Sequence, residues 1–369
     1  MANNNLTNAK KAKNDEFYTQ YNDIEKEINA YLEYDQNVFR GKVVLLPCDD
    51  PEWSNFTKFF AQNFEKLGLK KLISTSYASN SKTFKTDYQP SLFEQDSPQY
   101  DKSKTEKFGK IFTLTSDRTG NSKVDIKDFD WEYLHSDGDF RTDEIKKLRD
   151  EADIIITNPP FSLFREFLSW IVEANKKFLI IGNMNAITYK EVFLIIKENN
   201  LWLGSNKTGK GNSMTFKDIN KNDVDVASKW FTNIDHGGRH QILKLMTVEE
   251  NLKYSKHKDI KGKSYYDKYD NYDALEIPFT DSIPSDFEGV MGVPISFLTK
   301  YNPEQFEIIG LGISNSGKDA GVRPYTDEHK KYRKEVQKRG AVDGDLYMIK
   351  DGVVDVPYAR ILIRHKNKI

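Results

Sequence analysis

Ile154-Ile155-Ile156-Thr157-Asn158-Pro159-Pro160-Phe161 is the stretch on which the reading of this chain turns. Three successive isoleucines lack the polar alternation of a half-exposed strand. They predict a strand covered on both faces, as in parallel sheets. Two prolines then end it, because neither can donate to a ladder and each drives the preceding residue to extended backbone. The result is a stiff loop at a carboxyl strand end, the place where open α/β sheets bind ligands.

The same pattern continues on both sides of this motif. Val43-Val44-Leu45-Leu46, Lys71 to Ser76 and Phe178 to Gly182 predict further strands, and Lys229 to Ile234 another. Phe56, Phe59, Phe60, Phe64 and Leu67 recur at helical spacing, with Ser54 as N-cap and Gly68 as the stop. Helices are also expected from about Thr142 to Asp150, Leu163 to Ala174 and Tyr189 to Glu198. Apolar strands alternating with such helices predict an α/β protein with a doubly wound, mostly parallel sheet. Ser79 to Asp130 interrupts the rhythm and reads as an insertion with a strand at Ile111 to Leu114, not as a separate domain. Beyond about Met246 the composition shifts to lysine and tyrosine, so two domains are expected, 1–245 and 246–369. In the second, Glu328 to Arg339 predicts a basic helix and Tyr358 to Ile363 a last strand.

Composition excludes several classes. The 369 residues are 38% hydrophobic and 13% aromatic, enough for a sizeable core. Lys+Arg 55 against Asp+Glu 56 leaves a net charge of -1, so a nucleic-acid surface has to come from local clustering. A single cysteine, Cys48, removes any internal disulfide framework and points to a reducing, cytoplasmic compartment. With six histidines and no ligand spacing, no metal site is expected. His236 and His240 stand four apart, but Gly237-Gly238 lies between them. Met1 to Lys13 has no apolar core of a signal peptide, and no apolar run is long enough to cross a bilayer.

Asn158-Pro159-Pro160-Phe161 suits one chemistry well: methylation of an exocyclic amine. The lone pair of such a nitrogen is delocalised into the ring, so it is a poor nucleophile. Two acceptors, the Asn158 amide oxygen and the Pro159 carbonyl, can hold its hydrogens and turn the lone pair toward a methyl donor. Pro160 stiffens the loop, and Phe161 can stack on an extruded base. The plainer alternative is a Pro-rich turn with Asn158 as a local cap. Cys48-Asp49-Asp50-Pro51 follows the first strand, where carboxylates suit a cofactor bearing cationic groups; the alternative is an Asx turn. Asp139-Phe140 pairs an acid with an aromatic, fitting an adenine amino group and ring or else a solvated turn. Phe17-Tyr18-Thr19 lies ahead of the first strand, as a lid or as ordinary helix packing.

These residues and the long stretches between them resemble the EcoRI-type adenine-specific DNA methyltransferases, the modification half of restriction-modification systems. The resemblance runs through Asp15-Glu16-Phe17-Tyr18-Thr19-Gln20, Cys48-Asp49-Asp50-Pro51, Gly138-Asp139-Phe140-Arg141 and Thr157-Asn158-Pro159-Pro160-Phe161. It continues in Asn185-Ala186-Ile187-Thr188-Tyr189, Tyr269-Asp270-Asn271-Tyr272-Asp273, Gly289-Val290-Met291-Gly292-Val293-Pro294 and Asn302-Pro303-Glu304-Gln305-Phe306. It implies a class I methyltransferase fold, S-adenosylmethionine as cofactor, and N6-methyladenine in double-stranded DNA as product. It also implies a catalytic domain over 1–245 and an α+β target-recognition region over 246–369. Strands carrying Asp49 and Asn158 would be sheet neighbours. Phe17, Tyr18, Thr19, Cys48, Asp49 and Asp50 would line the cofactor, with Asp139 and Phe140 near its adenine. The first loop departs from the family of folds in lacking Gly-x-Gly, and the second strand ends without an acid for the ribose.

Basic clusters offer the phosphate contacts. Lys256, Lys258 and Lys261 lie in a lysine run interleaved with Tyr254, Tyr265, Tyr266 and Tyr269, and Lys331 and Arg333 in the later helix. Lys207 and Lys210 flank a glycine in a loop, and Arg239 is a candidate for base readout. Each run also fits a merely solvated face. No membrane or protein partner is implied. The rival readings are methylation of RNA or of a protein glutamine, and a DNA-binding relative without catalysis.

Overall fold

The computed structural model describes residues 18–52, 54–78, 99–115, 131–205, 213–217 and 222–366. The chain forms two compact units: Met1–Met184 with Leu203–Gly237, and Asn185–Trp202 with Gly238–Ile369.

The first unit is built on β1 (Val43–Leu46), β2 (Lys71–Thr75), β3 (Lys110–Leu114), β4 (Trp131–Tyr133), β5 (Ile154–Thr157), β6 (Lys177–Asn183), β7 (Trp202–Leu203), the separate hairpin β8 (Met214–Lys217) and β9 (Asp223–Val226), and β10 (Ser228–Thr232). Eight of these make one mixed sheet in the order β4-β3-β2-β1-β5-β6-β10-β7. β2, β1, β5 and β6 run parallel at its centre, and every residue of β1 and β5 is buried. The outer pairings β2–β3, β3–β4 and β6–β10 are antiparallel. The parallel expectation therefore holds for the centre alone. Antiparallel neighbours need no crossover helix, so they can come from segments without a helical pattern. The expected insertion supplies β3, with β4 directly after it, and is thus woven into the sheet.

Helices α1 (Tyr21–Tyr34), α2 (Asn55–Gln62), α3 (Asp143–Glu151) and α4 (Phe164–Glu173) complete this unit. The Ser54 hydroxyl caps α2 by accepting from the Phe56 amide. The helix expected to run on to Leu67 stops at Asn63 and resumes as one turn over Phe64–Leu67. The Asn63 side chain donates to the Phe59 carbonyl, the local competition that makes Asn a poor interior helix residue. Gly68 then closes the segment at φ 63°, a left-handed conformation open to glycine. Phe56, Phe59, Phe60 and Phe64 share a core with Ile24, Ile28 and Tyr31 of α1 and with Val44, Leu46, Ile154 and Ile156 of the sheet. At about 1.5–3 kcal/mol for each large apolar side chain buried, this packing outweighs the weak helix propensity of so many aromatics.

The second unit holds α5 (Lys190–Lys197), α6 (Val248–Tyr254), β11 (Ala274–Glu276), β12 (Val290–Pro294), β13 (Phe306–Leu311), α7 (Ser314–Asp319), α8 (Asp327–Glu335), the hairpin β14 (Met348–Lys350) and β15 (Val353–Asp355), and β16 (Arg360–His365). Its four-stranded sheet has the order β11-β12-β16-β13, so the last strand lies inside, antiparallel to β12 and β13. Ile361, Leu362 and Ile363 are fully buried there. Thr247 and Glu250 form a reciprocal capping box at the start of α6. Among the described residues, no helix is long and apolar enough to cross a membrane.

Candidate active site at the carboxyl edge of the large sheet

β1 and β5 are hydrogen-bonded neighbours, with Val44 opposite Ile154 and Leu45 opposite Ile155. The loops that follow them, Pro47 to Pro51 and Asn158 to Phe161, therefore emerge side by side. Asp49 is where they meet. It is 5% exposed. Its Oδ2 accepts from the Thr157 hydroxyl at 2.7 Å and its Oδ1 from the Ser54 hydroxyl at 2.7 Å. Its amide donates to the Thr75 carbonyl at 2.9 Å, and its own carbonyl accepts from the Ser74 hydroxyl at 2.6 Å. One residue thus ties the ends of β1, β2 and β5 to the head of α2.

Burial pushes the Asp49 carboxyl up to about 7, with the Asp50 charge adding to it and the Ser54 and Thr157 hydroxyls opposing it. The unfolded carboxyl titrates near its ordinary 3.8, so the folded state holds the extra proton between these values. This group's contribution to stability is therefore fully present below about pH 4 and is lost as pH rises through about 7. At about 1.36 kcal/mol per tenfold change in proton affinity, the loss is on the order of 4 kcal/mol. Asp49→Asn keeps both hydroxyl partners and never ionises. Its urea midpoint is expected to exceed that of the wild type at pH 8 and to converge with it toward pH 4. Equal midpoints at pH 8 would refute the assignment.

The neighbouring acids are held by cations. Lys110, 2% exposed, pairs with Glu52 at 2.5 Å, lies 3.9 Å from Asp50, and stands 4.6 Å over the Trp131 ring. Asp139 is gripped by Arg141 through Nε at 2.8 Å and Nη2 at 2.5 Å. Burial alone would raise the Asp139 carboxyl, but the Arg141 hydrogen bonds and charge outweigh it and hold it below the usual range. The Asp137–Asp139 turn docks on the end of β2: the Ala78 amide donates to the Asp137 carbonyl at 2.7 Å. Gly138, at φ 82°, permits this approach, since a Cβ there would sit 2.2 Å from the Ser76 carbonyl. Asp139 is thus brought to the same edge as Asp50. Phe140 is 5% exposed and packs edge-on to Phe167 and Trp170 of α4, at 5.1 and 5.6 Å, with Arg141 5.3 Å over its ring.

Tyr18 pairs in antiparallel fashion with Lys217 of β8, and the Gln20 side chain donates to the Thr215 carbonyl. Thr19 is buried, and its carbonyl accepts from the Asn55 side chain at the head of α2. Phe161 is half-buried and edge-on to Phe216 of the same hairpin, 6.3 Å between centroids. Pro159 is buried and Pro160 half-buried. Asn158 is half-buried, with its Oδ1 atom shielded from solvent. Cys48 is half-buried and in no disulfide. Residues 18–19, 48–50, 139 and 158–161 thus all belong to this unit, while Phe17, Lys207 and Lys210 lie outside the described residues.

Residues 5–366 match the family described as "Adenine-specific methyltransferase EcoRI". The chain belongs to this family. It is 42% identical to the Type II methyltransferase M.EcoRI of Escherichia coli over 86% of its own length and 92% of that protein's. It is 34% identical to the Type II methyltransferase M.MpnI of Mycoplasma pneumoniae, over 82% of this chain and 83% of that one. A Mycoplasma genitalium protein, Type II methyltransferase M.MgeORF184P, is 33% identical over 82% and 84%. No solved structure matches the chain.

The described basic candidates of this family member lie in the second unit. Lys256, Lys258, Lys261 and Lys331 are exposed. Lys256 also pairs with Asp281 at 2.7 Å, an exposed bridge of small energetic weight. Of the interleaved tyrosines, Tyr254 and Tyr265 are exposed, whereas Tyr266 and Tyr269 are buried. Two arginines have other work. Arg239 is 7% exposed, lies 3.5 Å over the Trp202 ring and donates to Asn199. Arg333 is 8% exposed and donates to the Gly340 carbonyl and to Gln337, fastening the chain beyond α8. A guanidinium reads as a ligand contact and as an internal strut equally well in sequence, and both arginines make internal contacts here. Sequence reasoning missed Thr157, Ser54 and Lys110. Thr157 reads only as the end of a strand and Ser54 only as a cap, while Lys110 lies inside a segment taken for an insertion.

Proposed function

We propose that this protein methylates N6 of an adenine extruded from double-stranded DNA, using S-adenosylmethionine, as the modification enzyme of a restriction-modification system or a phage-borne equivalent. The observation that carries the reading is the side-by-side emergence of the Asp49 and Asn158 loops from neighbouring parallel strands. In a class I methyltransferase fold, which the central parallel strands support, such neighbours bring methyl donor and acceptor together. The family membership supplies the adenine specificity.

In this reading Tyr18, Thr19, Cys48 and Asp50 border the donor, and Asp139 stands at the far side. A ligand bearing sulfonium and ammonium groups would share Asp50, Glu52 and Asp139 at this edge with Lys110 and Arg141. When bound, S-adenosylmethionine supplies an electrophilic methyl group. Asn158 and Pro159 accept the amino hydrogens of the flipped base, Pro160 keeps the loop rigid, and Phe161 stacks on the ring. Because the Asn158 Oδ1 atom is shielded, entry of the base displaces the side chains that cover it. No strong base is needed, since the proton leaves after the nitrogen has gained its methyl group. Residues 1–245 carry the transfer and 246–369 read the DNA, with exposed Lys256, Lys258, Lys261 and Lys331 on the phosphates.

The test is incubation with S-adenosylmethionine and unmethylated DNA of mixed sequence, followed by nucleoside mass spectrometry. N6-methyladenine is the expected product, and its absence overturns the reading. RNA and a glutamine-containing protein run in parallel separate the rival substrates.

A further inference from the structure

Asp49 stands at a strand end where carboxylates meet cofactors, yet both of its oxygens are already engaged by hydroxyls of the protein, at 2.7 Å each. Ser54, on one side, heads α2; its oxygen also accepts from the Phe56 amide at 3.1 Å. Thr157, on the other, is fully buried and directly precedes Asn158. The clamp closes across two strands, joining residues 108 apart in sequence. Ser74 strengthens it from β2, donating to the Asp49 carbonyl and sharing a 2.7 Å hydrogen bond with Thr57 of α2.

Resting on the methyl transfer proposed above, we propose that Asp49 is a positioning residue for the transfer step and not a cofactor ligand: its side-chain carboxyl group holds Thr157 against Ser54 and so fixes the Asn158 loop beside the loop that follows β1. The effect expected is on the geometry of reaction and not on the binding of the donor. A misplacement of an acceptor by about 1 Å is enough to cost about a hundredfold in rate.

The experiment uses the full chain, calorimetric titration with S-adenosylmethionine, and single-turnover methylation of unmethylated plasmid DNA at saturating cofactor. Thr157→Val keeps the shape of the side chain and removes the hydroxyl. It is expected to lower the single-turnover rate at least tenfold while the cofactor Kd stays within about threefold. Asp49→Asn, which keeps one acceptor oxygen in place of two, is expected to keep the cofactor Kd within about threefold and to lower the single-turnover rate by less than Thr157→Val does. A Thr157→Val rate equal to wild type overturns the positioning role while leaving the proposed function standing. An Asp49→Asn protein whose Kd rises more than tenfold with an unchanged saturated rate also overturns it, by making Asp49 a cofactor ligand. A wild type that transfers no methyl group overturns both.

Discussion

Asn158→Ala is expected to lower the rate of methyl transfer at least about a hundredfold while leaving cofactor affinity and the urea midpoint close to wild type. The reaction asks for acceptors that grip the amine more tightly as its nitrogen becomes tetrahedral. Removing one such preorganised partner costs about 10²–10³ in kcat in comparable sites. The change is gentle on the fold, because Asn158 lies beyond the last residue of β5 and is only half-buried. Asn158→Asp provides the complementary arm. It keeps the acceptor but adds a charge at the same edge as Asp49 and Asp50, and a partial loss in single-turnover rate is expected. An Ala variant that still methylates at the wild-type rate would remove Asn158 from the reaction.

Arg360→Ala is expected to destabilise the second unit by about 3–5 kcal/mol, the cost of leaving a buried carboxylate without its counter-charge. Glu276 is 5% exposed and receives Arg360 Nη2 at 2.6 Å and Nε at 3.1 Å. The Tyr269 hydroxyl donates to its other oxygen. Burial, then the Glu276 charge, holds the Tyr269 phenol well above its ordinary value, so it remains a donor. The three groups link β16, β11 and the segment before β11, and the fit leaves no room: a Cβ at Gly292 on β12 would meet the Tyr269 hydroxyl at 2.3 Å. The double variant Glu276→Gln with Arg360→Met retains an acceptor for Tyr269, removes both charges, and should recover most of the loss. Urea unfolding followed by far-UV dichroism measures both, and a single variant as stable as wild type would show that the pair is not coupled.

Legibility followed the physics of each residue. The apolar runs of β1, β5 and β6 announced themselves because a strand buried on both faces has no polar position to confuse its pattern. The Ser54 cap and the Gly68 stop were readable because each acts within a turn of its own position. The break at Asn63 depends on a side chain choosing a nearby carbonyl, which spacing does not record. In the candidate site, Asn158 to Phe161 and the Asp49 loop stood out by their chemistry, and the structure sets them after neighbouring strands. That Phe140 packs on Phe167 and Trp170 was not legible, because an aromatic beside an acid carries no mark of its packing partners. The burial of Arg239 and Arg333 was hidden for the same reason, since a guanidinium's formal charge says nothing of its burial.

By itself the sequence determined the α/β class, the strands at the centre of the large sheet, and the family to which the chain belongs, because these rest on local periodicity and on residue identity. Only the tertiary structure decided that β3, β4 and β10 join the sheet in antiparallel fashion, that the acidic turn at Gly138 closes on the end of β2, and that Asp49 looks inward to Thr157 and Ser54. Each of those facts pairs residues distant in the chain. Such pairings are selected by how the buried surfaces and hydrogen-bonding groups of the whole fold can be satisfied together, and no short window of sequence contains both partners.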